Sequence, residues 1–107
     1  MKQLQLVGKR RMEVADVPAP QDVGPEDILL RVKAIGICGS DLHYYRGENT
    51  GTAHLTYPFV MGHEFAGVVV ATGAKVATLC PGDRVAVDPA VPCGHCEFCL
   101  EGNPNVC

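Results

Sequence analysis

The stretch Cys93-Gly94-His95-Cys96-Glu97-Phe98-Cys99, followed after seven residues by Cys107, gathers four of the chain's six cysteines within residues 93–107. Spacings of two, two and seven let a short loop turn four thiolates towards one point, where Zn²⁺ takes four sulfurs tetrahedrally at ~2.3 Å. The run therefore reads as a closed, structural zinc lobe over residues 93–107. Disulfides fit less well: nothing at the N-terminus reads as a secretory signal, and thiols kept reduced in the cytosol bind metal more readily than they form bridges. An iron–sulfur cluster is the remaining competitor. The bacterial Cys-x₂-Cys-x₂-Cys run takes its fourth cysteine after three residues and follows it with Pro, whereas here seven residues intervene. Ligand type and spacing favour zinc.

Outward from that lobe, 107 residues make one small domain, and 47% hydrophobic content is enough for a packed core. Nine basic residues against twelve acidic ones give a net charge of −3, and no basic run is longer than Lys9-Arg10-Arg11. The electrostatic footprint of a nucleic-acid binder is missing, which argues against a DNA-binding zinc finger. No run of about 18 apolar residues occurs, so no membrane partner is expected, and the expected compartment is the cytoplasm.

Met1–Val7 and Arg11–Val17 alternate apolar and polar residues around Gly8-Lys9-Arg10 and read as a hairpin. Pro18, Pro20, Gly24 and Pro25 mark a loop. Asp27–Ile37 alternates again, and its all-apolar set Ile28, Leu30, Val32 and Ala34 is expected to face the core. In the segment after Cys38, Ser40 or Asp41 would cap a short helix carrying His43. Residues 47–58 read as an irregular loop. Phe65–Ala71 reads as a buried strand in which Gly67 admits a close neighbour, and Pro81-Gly82-Asp83 as a turn before the short strand Arg84–Val87. The chain is expected to be mostly β, a distorted barrel or sandwich of short strands with little helix.

A second constellation is Cys38, His63 and Glu64, all at expected strand ends. If the three converge, they offer the mixed S, N and O donors of a catalytic zinc with an open position. Each also has a structural reading: Cys38 as a small buried apolar side chain, His63 as a hydrogen-bonded turn residue, Glu64 as a solvated strand end. His54 in the loop reads as solvated, His95 as excluded from the lobe's metal by the flanking cysteines, and Cys80 as a spare thiol. Tyr44, Tyr45, Tyr57 and Phe59 serve packing as readily as ligand binding.

Four motifs stand in order along the chain: Gly36-Ile37-Cys38-Gly39-Ser40-Asp41-Leu42-His43, Gly62-His63-Glu64-Phe65-Ala66-Gly67, Pro81-Gly82-Asp83-Arg84-Val85 and the cysteine lobe. In this the chain resembles the zinc-containing medium-chain alcohol dehydrogenases, over the N-terminal part of their GroES-like catalytic domain. The resemblance implies that residues 1–107 are a partial catalytic domain. The nucleotide-binding Rossmann domain and the returning part of the catalytic domain are expected beyond position 107.

By the same resemblance, Cys38 and His63 are ligands of a catalytic zinc, and Glu64 is a ligand or its close neighbour. Cys93, Cys96, Cys99 and Cys107 are the structural-zinc set. Ser40 and His43 resemble the hydroxyl and imidazole that relay the alcohol's proton towards solvent, although Ser40 has the alternative role of helix cap. The implied cofactors are zinc and NAD or NADP. Zinc lowers the alcohol's pKa, and hydride passes to a nicotinamide held by the domain beyond. Gly39 after the first ligand, with Ser40, Asp41, His43, Tyr44 and the His63-Glu64 pair, is similar to the sorbitol, xylitol and threonine or butanediol dehydrogenase branches. A polyol or secondary alcohol is the implied small-molecule partner, and a homo-oligomer is compatible with the family. The isolated 107 residues are expected to be inactive. A non-catalytic, zinc-stapled binding or assembly module is the alternative from another class.

Overall fold

In a computed structural model, residues 1–48 and 55–107 are described, and the sequence reading of His54 and of half of the loop over residues 47–58 falls outside them. The hairpin forms as the alternation requires. Strand β1, Lys2–Gly8, pairs antiparallel with β2, Arg11–Asp16, setting Leu4 opposite Val14 and Leu6 opposite Met12. A short strand β4, Phe59–Val60, adds to the other side of β1 and completes a three-stranded sheet ordered β2-β1-β4. The second sheet is ordered β3-β5-β6, from Ile28–Gly36, Glu64–Thr72 and Arg84–Ala86. An eight-residue helix α1, Gly39–Arg46, follows β3, and a single turn α2, Glu97–Leu100, with a 3₁₀ turn at Pro104–Val106 forms the cysteine lobe. This is the mostly β architecture the short alternating segments demand. Among the described residues no helix is long and apolar enough to cross a membrane.

The β3–β5 ladder positions the site. It runs from Ile28 opposite Thr72 to Gly36 opposite Glu64, so the end of β3 that leads into Cys38 lies beside the start of β5 that follows His63. Gly67 lets the backbone of β3 approach β5 closely: a Cβ there would sit 2.6 Å from the Arg31 carbonyl oxygen, a separation no side chain tolerates. The helix is held from its far end as well, because the Arg10 amide in the hairpin turn donates to the Tyr45 carbonyl at 2.8 Å.

Two local expectations are corrected. The set Ile28, Leu30, Val32 and Ala34 does not form a buried face: Ile28, Val32 and Ala34 are exposed, and Leu29 and Leu30 are both half-buried. Register shifts between Leu29 and Leu30 and between Val32 and Ala34 interrupt the two-residue period, and β3 is an edge strand. Nor does Ser40 or Asp41 cap α1. Cys38, in extended conformation, is the N-cap, and Asp41 takes the third helical position, where its Oδ2 accepts the Cys38 amide N–H at 2.9 Å. The helix thus starts directly off the strand, and Asp41 supplies the reciprocal half of a capping box.

Among the described residues only Leu6 and Val69 are fully buried large side chains. Between the sheets lies an open apolar concavity of about 1130 Å³ whose lining includes Leu4, Leu30, Val32, Ile35, Val60 and Phe65. A surface of that kind on a small domain marks a place where further polypeptide or a partner belongs.

Candidate metal centres

Strand pairing brings Cys38, His63 and Glu64 together: one donor atom from each lies within 4.8 Å of the others. Thiolate, imidazole and carboxylate at that separation fit a four-coordinate zinc with one position left open. Backbone space helps the third donor. A Cβ at Gly36 would meet Glu64 Oε2 at 3.1 Å, so the missing side chain leaves room for the carboxylate.

Asp41 is the residue the sequence reading undervalued. It is 6% exposed, and its Oδ1 is buried with no hydrogen-bond partner while lying 3.6 Å from His63 Nδ1. Its other oxygen holds the Cys38 amide. One buried carboxylate therefore touches the backbone of one donor residue and faces the ring of another. A histidine that ligates a metal through one nitrogen commonly gives its other N–H to a carboxylate, which fixes ring orientation and raises basicity. The orphaned Oδ1 is what such a ring would satisfy once Nδ1 carries the proton. The local signal in the sequence was an acidic residue three positions after Cys38, where a capping box would place it.

Ser40 Oγ lies 3.4 Å from His63 Nε2, placing a hydroxyl at the ring edge opposite Asp41. His43 is elsewhere on α1 and half-exposed, and its Nδ1 lies 2.6 Å from Glu48 Oε2. Ser40 and His43 are therefore on one helix but bonded to different partners. The His43 hydrogen bond is the main cause holding the Glu48 carboxyl below its ordinary pKa.

In the lobe, the donor atoms of Cys93, Cys96, Cys99 and Cys107 also lie within 4.8 Å of one another. Cys93 Sγ is 4.0 Å from Cys99 Sγ, and Cys96 Sγ is 3.9 Å from Cys107 Sγ. Backbone amides point at the sulfurs: Cys96 N–H donates to Cys93 Sγ and Cys93 N–H to Cys107 Sγ, each at 3.3 Å. Hydrogen bonding from the His95 backbone, then from the Cys96 backbone, lowers the Cys93 thiol to about 6. The Cys99 backbone amide likewise lowers Cys96, whereas burial raises Cys99. Thiolates are the form a metal binds, so the amide-bonded Cys93 is the sulfur of the lobe best prepared for a cation. His95 turns away, with Nδ1 2.8 Å from the Cys93 carbonyl oxygen, and Cys80 belongs to neither cluster.

The sequence profile of the alcohol dehydrogenase GroES-like domain matches residues 24–107, and the chain belongs to that family. It is 44% identical over 107 residues to a sorbitol dehydrogenase of Bacillus subtilis, covering 100% of this chain and 30% of the relative. Among solved structures, the alcohol dehydrogenase TADH of Thermus sp. ATN1 is similar with a TM-score of 0.83 and 39% identity, over 100% of this chain and 30% of that one. An alcohol dehydrogenase of E. coli CFT073, complexed with NADH, gives a TM-score of 0.82 and 44% identity over 100% and 30%. The chain thus spans about 30% of the length of these relatives. All three are named as dehydrogenases, and none favours the non-catalytic module.

Proposed function

We propose that residues 1–107 form part of the catalytic domain of a zinc- and NAD(P)-dependent dehydrogenase of polyols or secondary alcohols, with residues 93–107 as its structural-zinc lobe. The observation that carries this reading is the convergence of Cys38, His63 and Glu64 within 4.8 Å at the paired ends of β3 and β5. Similarity to the sorbitol dehydrogenase supports the polyol class. Cys38, His63 and Glu64 would hold the catalytic zinc, and Cys93, Cys96, Cys99 and Cys107 the structural one.

Zinc, when bound, supplies a Lewis acid for the alcohol oxygen, and the nicotinamide supplies the hydride acceptor. The chain's own residues do the rest. Asp41 orients His63 and anchors the Cys38 backbone, keeping two donors in register. Ser40, at the ring edge of His63, is placed to take the alcohol's proton, and His43 on the next turn of α1 passes it to solvent. The apolar concavity between the sheets is covered by the returning part of the catalytic domain. The expected setting is the cytoplasm, where the six cysteines stay reduced.

The test is turnover. The longer protein carrying this chain should reduce NAD⁺ or NADP⁺ with a polyol or secondary alcohol, and the 107-residue chain alone should not, since the domain that would hold the hydride acceptor against the alcohol is expected beyond it. Cofactor-dependent oxidation by the isolated chain would overturn the domain reading. Failure of the longer protein on every polyol and secondary alcohol would overturn the substrate class.

A further inference from the structure

The end of α1 builds an acid–imidazole pair. Gly47 closes the helix in the left-handed conformation, φ 73° and ψ 31°, which a residue without a Cβ adopts at little cost. From there the Glu48 amide donates to the His43 carbonyl at 2.9 Å, and the Gly47 amide donates to the Tyr44 carbonyl at 2.9 Å. These are the six-to-one and five-to-two bonds of a Schellman motif, in which the residue after the glycine is turned back against the residue in the helix's last turn. That contact is ordinarily apolar. Here the two positions are His43 and Glu48, and their side chains meet at 2.6 Å between Nδ1 and Oε2.

An ionised carboxylate has no proton to give, so whenever the His43 ring carries a single proton the one at that contact sits on Nδ1. Lys9 and Arg46 stand near Glu48 and favour its ionised form, so the acceptor role holds across neutral pH. We infer that Glu48 is a positioning residue for His43: the Schellman turn at Gly47 presents its carboxylate to Nδ1, sets the Nδ1–H tautomer and leaves the Nε2 lone pair as the atom that receives a proton. This rests on the relay assigned to His43 above. It adds that the relay's direction is set by a helix-capping turn outside both metal clusters. Protonation at Nε2 gives an imidazolium held by Glu48, and loss of that same proton to water restores the starting tautomer, so the step balances without another reactant.

The tautomer can be read directly in the full 107-residue chain, without substrate or cofactor. Long-range ¹H–¹⁵N correlation spectra of the histidine rings, recorded at about pH 9 where imidazole is neutral, distinguish protonated from unprotonated nitrogens. A His43→Gln variant identifies the His43 signals. The expected result is a proton on Nδ1 of His43, its shift to Nε2 in Glu48→Ala, and return to Nδ1 in Glu48→Gln, whose amide oxygen still accepts. Unchanged Leu6 and Val69 methyl shifts establish that the variants are folded. A proton on Nε2 in the unaltered folded chain, or the same tautomer in Glu48→Ala, overturns the inference and leaves the proposed dehydrogenase activity standing. An inactive longer protein would leave the tautomer standing.

Discussion

The two donor clusters are built by opposite means. Cys93, Cys96, Cys99 and Cys107 lie within fifteen consecutive positions, on a loop with one helical turn and a 3₁₀ turn, and no residue of the lobe is fully buried. Cys38, His63 and Glu64 come from a helix cap, the irregular segment just before β5 and the start of β5, and they meet only because β3 and β5 pair from end to end. Buried Asp41 supports that second cluster, whereas backbone amides are the main support for the first. A local cluster with no apolar core depends on its ion for folding; a cluster assembled by strand pairing depends on the fold for its ion.

The largest expected effect breaks this contrast from the lobe's side. Replacing any one of Cys93, Cys96, Cys99 or Cys107 by Ser should release one zinc per chain and disorder residues 93–107, since zinc contributes about 10–16 kcal/mol in small metal-folded peptides. Hydrogen exchange should show protection lost in the lobe and retained in the β3–β5 ladder. Strong chelation should do the same, and a lobe that stays protected after chelation, or iron in the elemental analysis, would refute the zinc assignment.

Gly67→Val is the mirror experiment. Its side chain would collide with the Arg31 carbonyl, so overpacking of about 1–3 kcal/mol or more should loosen the ladder. Metal binding should then fail at Cys38, His63 and Glu64 and persist in the lobe. Equal loss at both clusters would mean that the lobe depends on the ladder as much as the mixed cluster does.

A finer probe is Asp41→Asn, which keeps an acceptor for the Cys38 amide but removes the charge facing His63. Affinity for a divalent ion at the mixed cluster should fall about 10–100-fold, the usual cost of losing such a supporting group. Titration with Co²⁺ after filling the lobe with zinc measures it, and an unchanged affinity would remove Asp41 from the site.

The smallest effect concerns the metal-free lobe. With Cys93 lowered to about 6, its thiolate predominates at neutral pH and is lost as the pH falls through that value, while Cys99, raised by burial, stays a thiol. Alkylation at neutral pH, mapped by mass spectrometry, should therefore modify Cys93 before Cys99 by roughly tenfold, the lower intrinsic nucleophilicity of the more acidic thiol offsetting part of its larger thiolate fraction. Below about pH 6 the preference should shrink. Cys99 reacting first at neutral pH would contradict the amide-bonded geometry around Cys93.

How much of this was legible in the chain follows from the distance over which each feature is encoded. Alternation in Met1–Val7 and Arg11–Val17 sufficed for the hairpin, because adjacent strands joined by a tight turn have few other partners. The cysteine spacing made the lobe's convergence the natural expectation, since Cys-x₂-Cys-x₂-Cys with a fourth thiol after a short loop can close on one ion, and the four donor atoms lie within 4.8 Å of one another. The buried face of β3 was not legible, because bulges at Leu29/Leu30 and Val32/Ala34 depend on the partner strand and leave no mark in the alternation. The helix cap was missed because Cys38 is not a residue that caps by propensity; its place was decided by where β3 ends.

By itself, then, the sequence determined the mostly β character and the family, because local patterning and the order of motifs are properties of the chain, and it nominated the two donor sets by residue type and spacing. Tertiary structure alone decided that Cys38 and His63, far apart in sequence, share one point, that Asp41 sits buried between them, and that Glu48 turns back on His43. Each of these is a contact across strands or around a helix end, set by backbone pairing and a left-handed glycine, and such geometry exists only once the chain has folded.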